Sequence, residues 1–224
     1  MKECYELQSI IVTEGNTIYS IESQGGLIEK KNNEVKLVTY PFAKKENEMY
    51  IIPTEVTQID GYALYQTHFT YIKMNEKVKQ IGEYAMNGME EMTTLTLPTS
   101  LEKAGKEAFT NMKSMRILVL RGNKEIDCGE ETSVFDSIET MKMYISKDIS
   151  KTTICGRTVE NTVEHSNESG EYVDYITTTK GELILYGKGS MKDYSTESPA
   201  TWKTTETSIT TILIDEGVTT IGSD

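Results

Sequence analysis

The residues of this 224-residue chain best suited to metal binding or nucleophilic catalysis are His68, His165, Cys4, Cys128 and Cys155. They are scattered, with no C-x-x-C or H-x-x-x-H spacing that would gather ligands around zinc. No G-x-S-x-G elbow lifts a serine nucleophile. A triad can also assemble by convergence in space, so a hydrolase on this scaffold is not excluded by spacing alone. Gly187-Lys188-Gly189-Ser190 has the composition of a phosphate loop without its order, because Gly189 separates the lysine from the serine. It predicts a turn between strands. The acidic pairs Glu90-Glu91, Glu130-Glu131 and Asp215-Glu216 lack the alternation of a calcium loop and read as solvated surface. Asn167-Glu168-Ser169 is a glycosylation sequon, relevant only in a secretory eukaryote. Trp202, in a threonine-rich stretch, reads as a packing anchor. These residues imply no metal, no cofactor and no enzyme.

Composition narrows the classes further. Asp and Glu number 35 against 23 Lys and Arg, a formal charge of −12, with 37% apolar residues. Sequence-independent binding to nucleic acid or anionic lipid needs basic patches, which this balance opposes. No run approaches the ~18 apolar residues of a membrane span. The start, MKECYELQSIIVTEGN, is not a signal peptide. The odd, widely spaced cysteines argue against a disulfide framework, although a single pair such as Cys128 with Cys155 is compatible with secretion.

What must position any site is a repeat. Tyr50–Gln66, Ile72–Gly88 and Leu95–Asn111 align so that Val56, Val78 and Leu101 correspond, at separations of 22 and 23. Ile59, Ile81 and Ala104 form the next column, then Ala63, Ala85 and Ala108, each followed by Leu64, Met86 or Phe109. A fourth copy opens at Ile212-Leu213-Ile214 with Val218 and Ile221. The pairs Tyr50/Ile52, Ile72/Met74, Leu95/Leu97, Leu118/Leu120 and Ile212/Ile214 alternate with period two, the mark of short strands with one buried face. Pro53 and Pro98 end two strands, since proline cannot donate to a ladder. Gly82, Gly105 and Gly222 follow the third column, where a turn can require positive φ. A single helical turn with its small alanine is expected next. One such unit cannot bury its own apolar face, so neighbours must stack into a solenoid with a parallel sheet along one side.

The pattern I-x-I-P-x-x-V-x-x-I-G-x-x-A-F resembles the BspA-like, Treponema-type leucine-rich repeat of bacterial surface proteins, its core carried by Tyr50–Met115. The segment from Leu7 to Pro53 resembles the hairpin interruption that returns to a Y-x-I-P strand. Phe135 with Met141–Ser146 resembles the closing segment, and Gly181–Tyr194 with Ser208–Gly222 the opening of another module. The asparagine or cysteine ladder of ordinary leucine-rich repeats falls at Glu55, Lys77, Ser100 and Gly217, so it is expected to be absent. Thr67, Met89 and Met112 stand where the family often has cysteine; with Met86, Met92 and Met115 they predict a soft methionine-filled core or, on a sharper reading, a methionine-rich binding patch.

The fold expected is a leucine-rich-repeat solenoid with a parallel β-sheet face, short helical turns and flanking β-hairpins. Residues 1–49 are its β-rich start and 50–148 the repeats. Residues 149–180 read as a polar linker or excursion, and 181–224 as the start of a second, truncated module of a longer protein. Outward side chains between the inward pairs, Ile51, Lys73, Thr96 and Val119, with Arg121 beyond the last strand, form the candidate binding row. The resemblance implies non-enzymatic recognition of an extracellular or host protein or glycan at a cell surface, without nucleic acid or membrane insertion. The alternative is a structural spacer whose recognition lies elsewhere. On this reading Lys73 and Val119 are cheap to replace and Leu97 is not.

Overall fold

The computed structural model describes residues 4–129, 133–200, 202 and 209–222. The chain opens with β1 (Tyr19–Ile21), β2 (Leu27–Lys31) and β3 (Glu34–Thr39), an antiparallel meander. Long repeat strands then alternate with two-residue strands: β4 (Met49–Ile51), β5 (Gln58–Ile59), β6 (Tyr71–Lys73), β7 (Gln80–Ile81), β8 (Thr94–Leu97), β9 (Lys103–Ala104), β10 (Ile117–Leu120) and β11 (Lys142–Ser146). The remainder is β12 (Thr153–Ile154), β13 (Arg157–Thr158), β14 (Asn161–Glu168), β15 (Val173–Thr178), β16 (Glu182–Gly187), β17 (Gly189–Ser190), β18 (Thr211–Ile214) and β19 (Val218–Thr220).

The coils from β4 to β9 each carry a long strand and a short one, on two sides of the solenoid. The short strands continue the meander in the order β1-β2-β3-β5-β7-β9, while β8, β10 and β11 run in parallel on the other. Between the ladders lies the core: Tyr50, Ile52, Leu95, Leu97, Leu118, Leu120, Met143 and Ile145 are all buried, as are Met86, Met89, Met92, Met112 and Met115. The methionines are therefore core filler and line no binding patch. Tyr40, Tyr50 and Phe69 pack edge and face at centroid distances of 4.9–5.2 Å, plugging the first coil.

The turns after β5 and β7 are not helical; the one helical turn among the described residues is a 3-10 turn at Ser133–Phe135. Tyr62, Leu64 and Gln66 donate their amides to Glu83, Ala85 and Asn87 of the next coil at 2.8–3.0 Å. Tyr84, Met86 and Gly88 do the same to Lys106, Ala108 and Thr110 at 2.9 Å. Amides spent between coils cannot close i to i−4 bonds, so the segment stays a run of turns. Positive φ falls at Tyr62, Tyr84 and Glu107 and at Gln66, Gly88 and Asn111, columns other than the one expected. Gly82 and Gly105 serve close approach instead. A Cβ on Gly82 would lie 2.5 Å from the amide nitrogen of Gly61, and one on Gly105 would lie 2.6 Å from that of Glu83. A side-chain ladder also exists in part, since Ser100 Oγ donates to Val78 O at 2.7 Å and Asn75 Nδ2 to Pro53 O at 2.6 Å.

The polar stretch read as a linker or excursion is largely strand. β14 extends the repeat sheet in parallel beside β11, β15 and β16 follow antiparallel, and β18 returns parallel to β16. The sheet order is β8-β10-β11-β14-β15-β16-β18. Cys128 and Cys155 are joined by a disulfide, and Cys4 is free and exposed. Ile212 and Ile214, expected to point inward, are 59% and 48% exposed; among the described strands β18 pairs with β16 alone and forms the sheet edge.

Candidate functional site

The seven-stranded sheet curls over the outer face of the repeats. Strand twist supplies part of the curl, and a register shift between Val163 and His165 in the β14–β15 pairing adds a local bend. The result is a second core on what would have been the open side, formed by Val119, Tyr144, Val163, Ile176, Ile184 and Tyr186. A third, on the far side of the curled strands, gathers Tyr175, Leu183, Leu185 and Met191 around Trp202. Trp202 stands edge-on to Tyr175 and Tyr194 at 4.7 and 5.0 Å, a packing role.

Between the curled strands and the repeats is a cleft of about 290 Å³. It opens where β4 and β6 form one small sheet and β8 begins another, so the long-strand ladder has a seam at β6/β8. Ile51, Tyr71 and Ile72 form the apolar side and Lys73, Arg121 and Asp174 much of the polar side.

Three polar links hold the cleft's walls together. Lys73 Nζ lies 2.8 Å from Glu168 Oε1 and donates to Glu171 O at 3.1 Å. Arg121 Nη2 lies 3.1 Å from Asp174 Oδ2, and Nη1 lies 3.8 Å from Glu76 Oε1. Thr96 Oγ1 donates to Tyr186 Oη at 3.1 Å. The Arg121 guanidinium is closed off by Asp174 and Tyr186, its Nε and Nη2 buried and out of line for an ideal hydrogen bond. Burial raises the Asp174 carboxyl above the usual carboxylate range, with Arg121 pulling it partly back. Burial opposes charge on Arg121, but Asp174, Tyr186 and Glu76 outweigh it and raise its pKa. Among the described lining residues, two cations thus face three carboxyl groups, Glu76, Glu168 and Asp174.

The expected binding row is brought to this region, though not as an open strip. Ile51, 39% exposed, sits at the mouth. Lys73, Thr96 and Arg121 line the cleft and are engaged by the curled strands. Val119 is fully buried in the second core, a correction to its place in the row. The sequence-based reading missed Glu168, Asp174 and Tyr186. A signal was present in the β-branched and aromatic density of Val173–Thr178, every residue of which is buried.

The other candidates resolve locally. Gly187 and Gly189 have positive φ and flank Lys188, which bonds Glu48 and, at 2.9 Å, Thr70 Oγ1. His68 Nε2 lies 2.9 Å from Asn47 O. The side chains of His165 and Asn167, and the pair Glu130-Glu131, lie outside the described residues. Among the described residues no three His, Cys, Asp or Glu side chains gather as metal ligands would, and no helix is long and apolar enough to cross a membrane.

The sequence model of the BspA type leucine-rich repeat region matches residues 35–155 in 6 copies. The chain belongs to this family. The BspA-type repeats thus run from β3 to the second half of the disulfide. A leucine-rich repeat protein from Bacteroides capillosus is similar at 16% identity over 55% of this chain and 96% of its own, with a TM-score of 0.48. The pneumococcal vaccine antigen PcpA is 20% identical over 68% of this chain and 50% of its own, at 0.47. A leucine-rich cell surface protein from Faecalibacterium prausnitzii is 12% identical over 94% and 74%, at 0.43. These overlaps are too loose to carry a partner or a site across. No curated protein matches the chain.

Proposed function

We propose that the chain is a non-enzymatic recognition module of a cell-surface or secreted protein, attaching to an extracellular or host protein or glycan. The observation that carries this reading is the cleft at the β6/β8 seam, where Ile51, Lys73, Thr96 and Arg121 from the repeats meet Glu168, Asp174 and Tyr186 from the curled strands. Such concave sites with a few fixed polar groups are where ligands bind. The Cys128–Cys155 disulfide supports an oxidising, extracytoplasmic setting.

The test is binding to immobilised matrix proteins, mucins and glycans by the native chain and by an Ile51→Asp/Lys73→Glu variant. Saturable binding lost in a folded variant supports recognition here; binding undiminished in the variant moves the site elsewhere. A second reading, a spacer or assembly element, is favoured by β18, whose free edge carries exposed Ile212, Leu213 and Ile214 and would accept a further strand. Silence across the panel with both chains folded selects it.

A further inference from the structure

We infer that a second, smaller site on the turn side of the repeats binds a quaternary ammonium group, such as the trimethylammonium head of choline. It shares no residue with the cleft and goes beyond the recognition reading built there. The site is a hollow of about 30 Å³ where the N-terminal segment, the end of β3 and the turn after β5 meet. Ala43 donates its amide to Leu7 O at 2.8 Å, which pins the N-terminal segment beside the hollow.

Four aromatic rings line it. Tyr5 stands edge-on to Phe42, with centroids 5.5 Å apart and planes at 82°, and Tyr62 to Tyr65 at 5.5 Å and 62°. Two such pairs set ring walls at steep angles around one small space. Tyr5 is 50% exposed and Phe42, Tyr62 and Tyr65 are half-buried, so the rings are within reach of a ligand. Tyr62 also has a φ of 60°, in the left-handed region that is costly for a bulky side chain. Tyr84 repeats this one coil on, with a φ of 55°, and stacks on Tyr62 at 4.9 Å. The other left-handed column carries Gly88 and Asn111, residues that suit that backbone. Tyrosine held at a strained position on the rim of a hollow points to a use for its ring.

The ligand's chemistry follows from what the hollow offers. No charged side chain is among its described lining residues, and the chain carries a net charge of −12, so an anion is repelled and a cation is drawn to the ring faces. A lysine ammonium brings three N–H donors, and no lining carboxylate takes them, so its desolvation goes uncompensated. A quaternary ammonium has no N–H, and its methyl groups pack against the rings and Leu7. The small volume admits one compact head. A proline-rich segment, which also seeks aromatic surfaces, needs a groove several residues long.

The native chain is titrated with tetramethylammonium, with choline and with 3,3-dimethylbutan-1-ol, the uncharged isostere of choline, read by saturation-transfer NMR on the methyl signal. Tyr65→Leu keeps apolar bulk without the ring, Tyr65→Phe keeps the ring, and Tyr5→Ala removes an exposed ring at little cost to the fold. Both cations should bind saturably, and the isostere at least about fivefold more weakly. Tyr65→Leu and Tyr5→Ala should each lose a similar factor for choline, with Tyr65→Phe close to native and the circular-dichroism melt of Tyr5→Ala unchanged. Phosphocholine in solution and phosphatidylcholine vesicles carry the same head; binding of either supports the assignment and tells which source presents it. The inference is overturned if neither cation binds, if the isostere binds as tightly as choline, or if Tyr65→Leu and Tyr5→Ala both leave choline binding unchanged.

Discussion

Val119 and Ile51 occupy equivalent outward positions in two repeat strands, and the alternation treats them alike. The structure separates them, one fully buried and the other 39% exposed, so a matched pair of substitutions measures the cover directly. In Val119→Asp the chain loses the burial of a valine side chain, about 1.5–3 kcal/mol. It also buries a carboxyl among Tyr144, Val163, Ile176, Ile184 and Tyr186, where the neighbouring Arg121 is already engaged by Asp174, for about 1–3 kcal/mol more. The combined cost is about 2.5–6 kcal/mol, a fall in Tm of roughly 5–24 °C for a domain of this size. Ile51→Asp should cost under about 1 kcal/mol, since its carboxylate reaches water. The assay is guanidinium unfolding followed by circular dichroism and by the fluorescence of Trp202, the single tryptophan, which packs on Tyr175 at the reverse face of the curled strands. Equal and small effects at both positions would refute the argument, because they would mean that nothing covers β10.

Three further outcomes follow from other contacts. Gly82→Ala should lower stability by about 1–3 kcal/mol in thermal melts, because the new Cβ meets the Gly61 backbone, whereas Gly129→Ala has open space and only its left-handed φ against it. Cys128→Ser should cost about 2–4 kcal/mol, the loop closed by Cys155 spanning 27 residues, and adding reductant should reproduce the loss in the native chain but not in the variant. Asp174 has a folded-state pKa raised by burial, so the folded chain binds its proton more tightly than the unfolded chain. Its stabilising contribution is complete below the unfolded value and is lost as pH rises through the folded one. Compared with Asp174→Asn in denaturant titrations, the native chain should gain stability on acidification from about pH 7 to about pH 4; a gain in the opposite direction would show that attraction to Arg121 dominates.

The repeat was legible because its information is local. Val56, Val78 and Leu101 recur at nearly fixed spacing, and the buried methionines fall in the same columns, so period and burial follow from a short window of chain. The turns misread because Ala63 and Leu64 look helical in isolation, while the acceptors for Tyr62 and Leu64 sit in the next coil. The cleft was half legible. Alternation finds the outward row, but Thr96 meets Tyr186 across 90 residues of sequence, and Lys188 meets Glu48 across 140. Nothing in the spacing of either side announces the other. A stretch rich in Thr, Ser and Glu looks like linker when one face of a strand is assumed to meet water; β15 is buried along its whole length.

The same long-range closure imposes an order of events on synthesis. The coils contact their immediate neighbours and can form as they emerge, since local contacts close early. The outer face of β10 is finished at Leu120, yet its cover ends at Gly187, 67 residues later. At a synthesis rate of about 5–20 residues per second, that interval lasts roughly 3–13 s. Over that interval Val119, joined by Tyr144 once that residue is made, presents an apolar stripe to the surroundings, a window in which a chaperone or a neighbouring nascent chain can reach a surface that the finished protein hides.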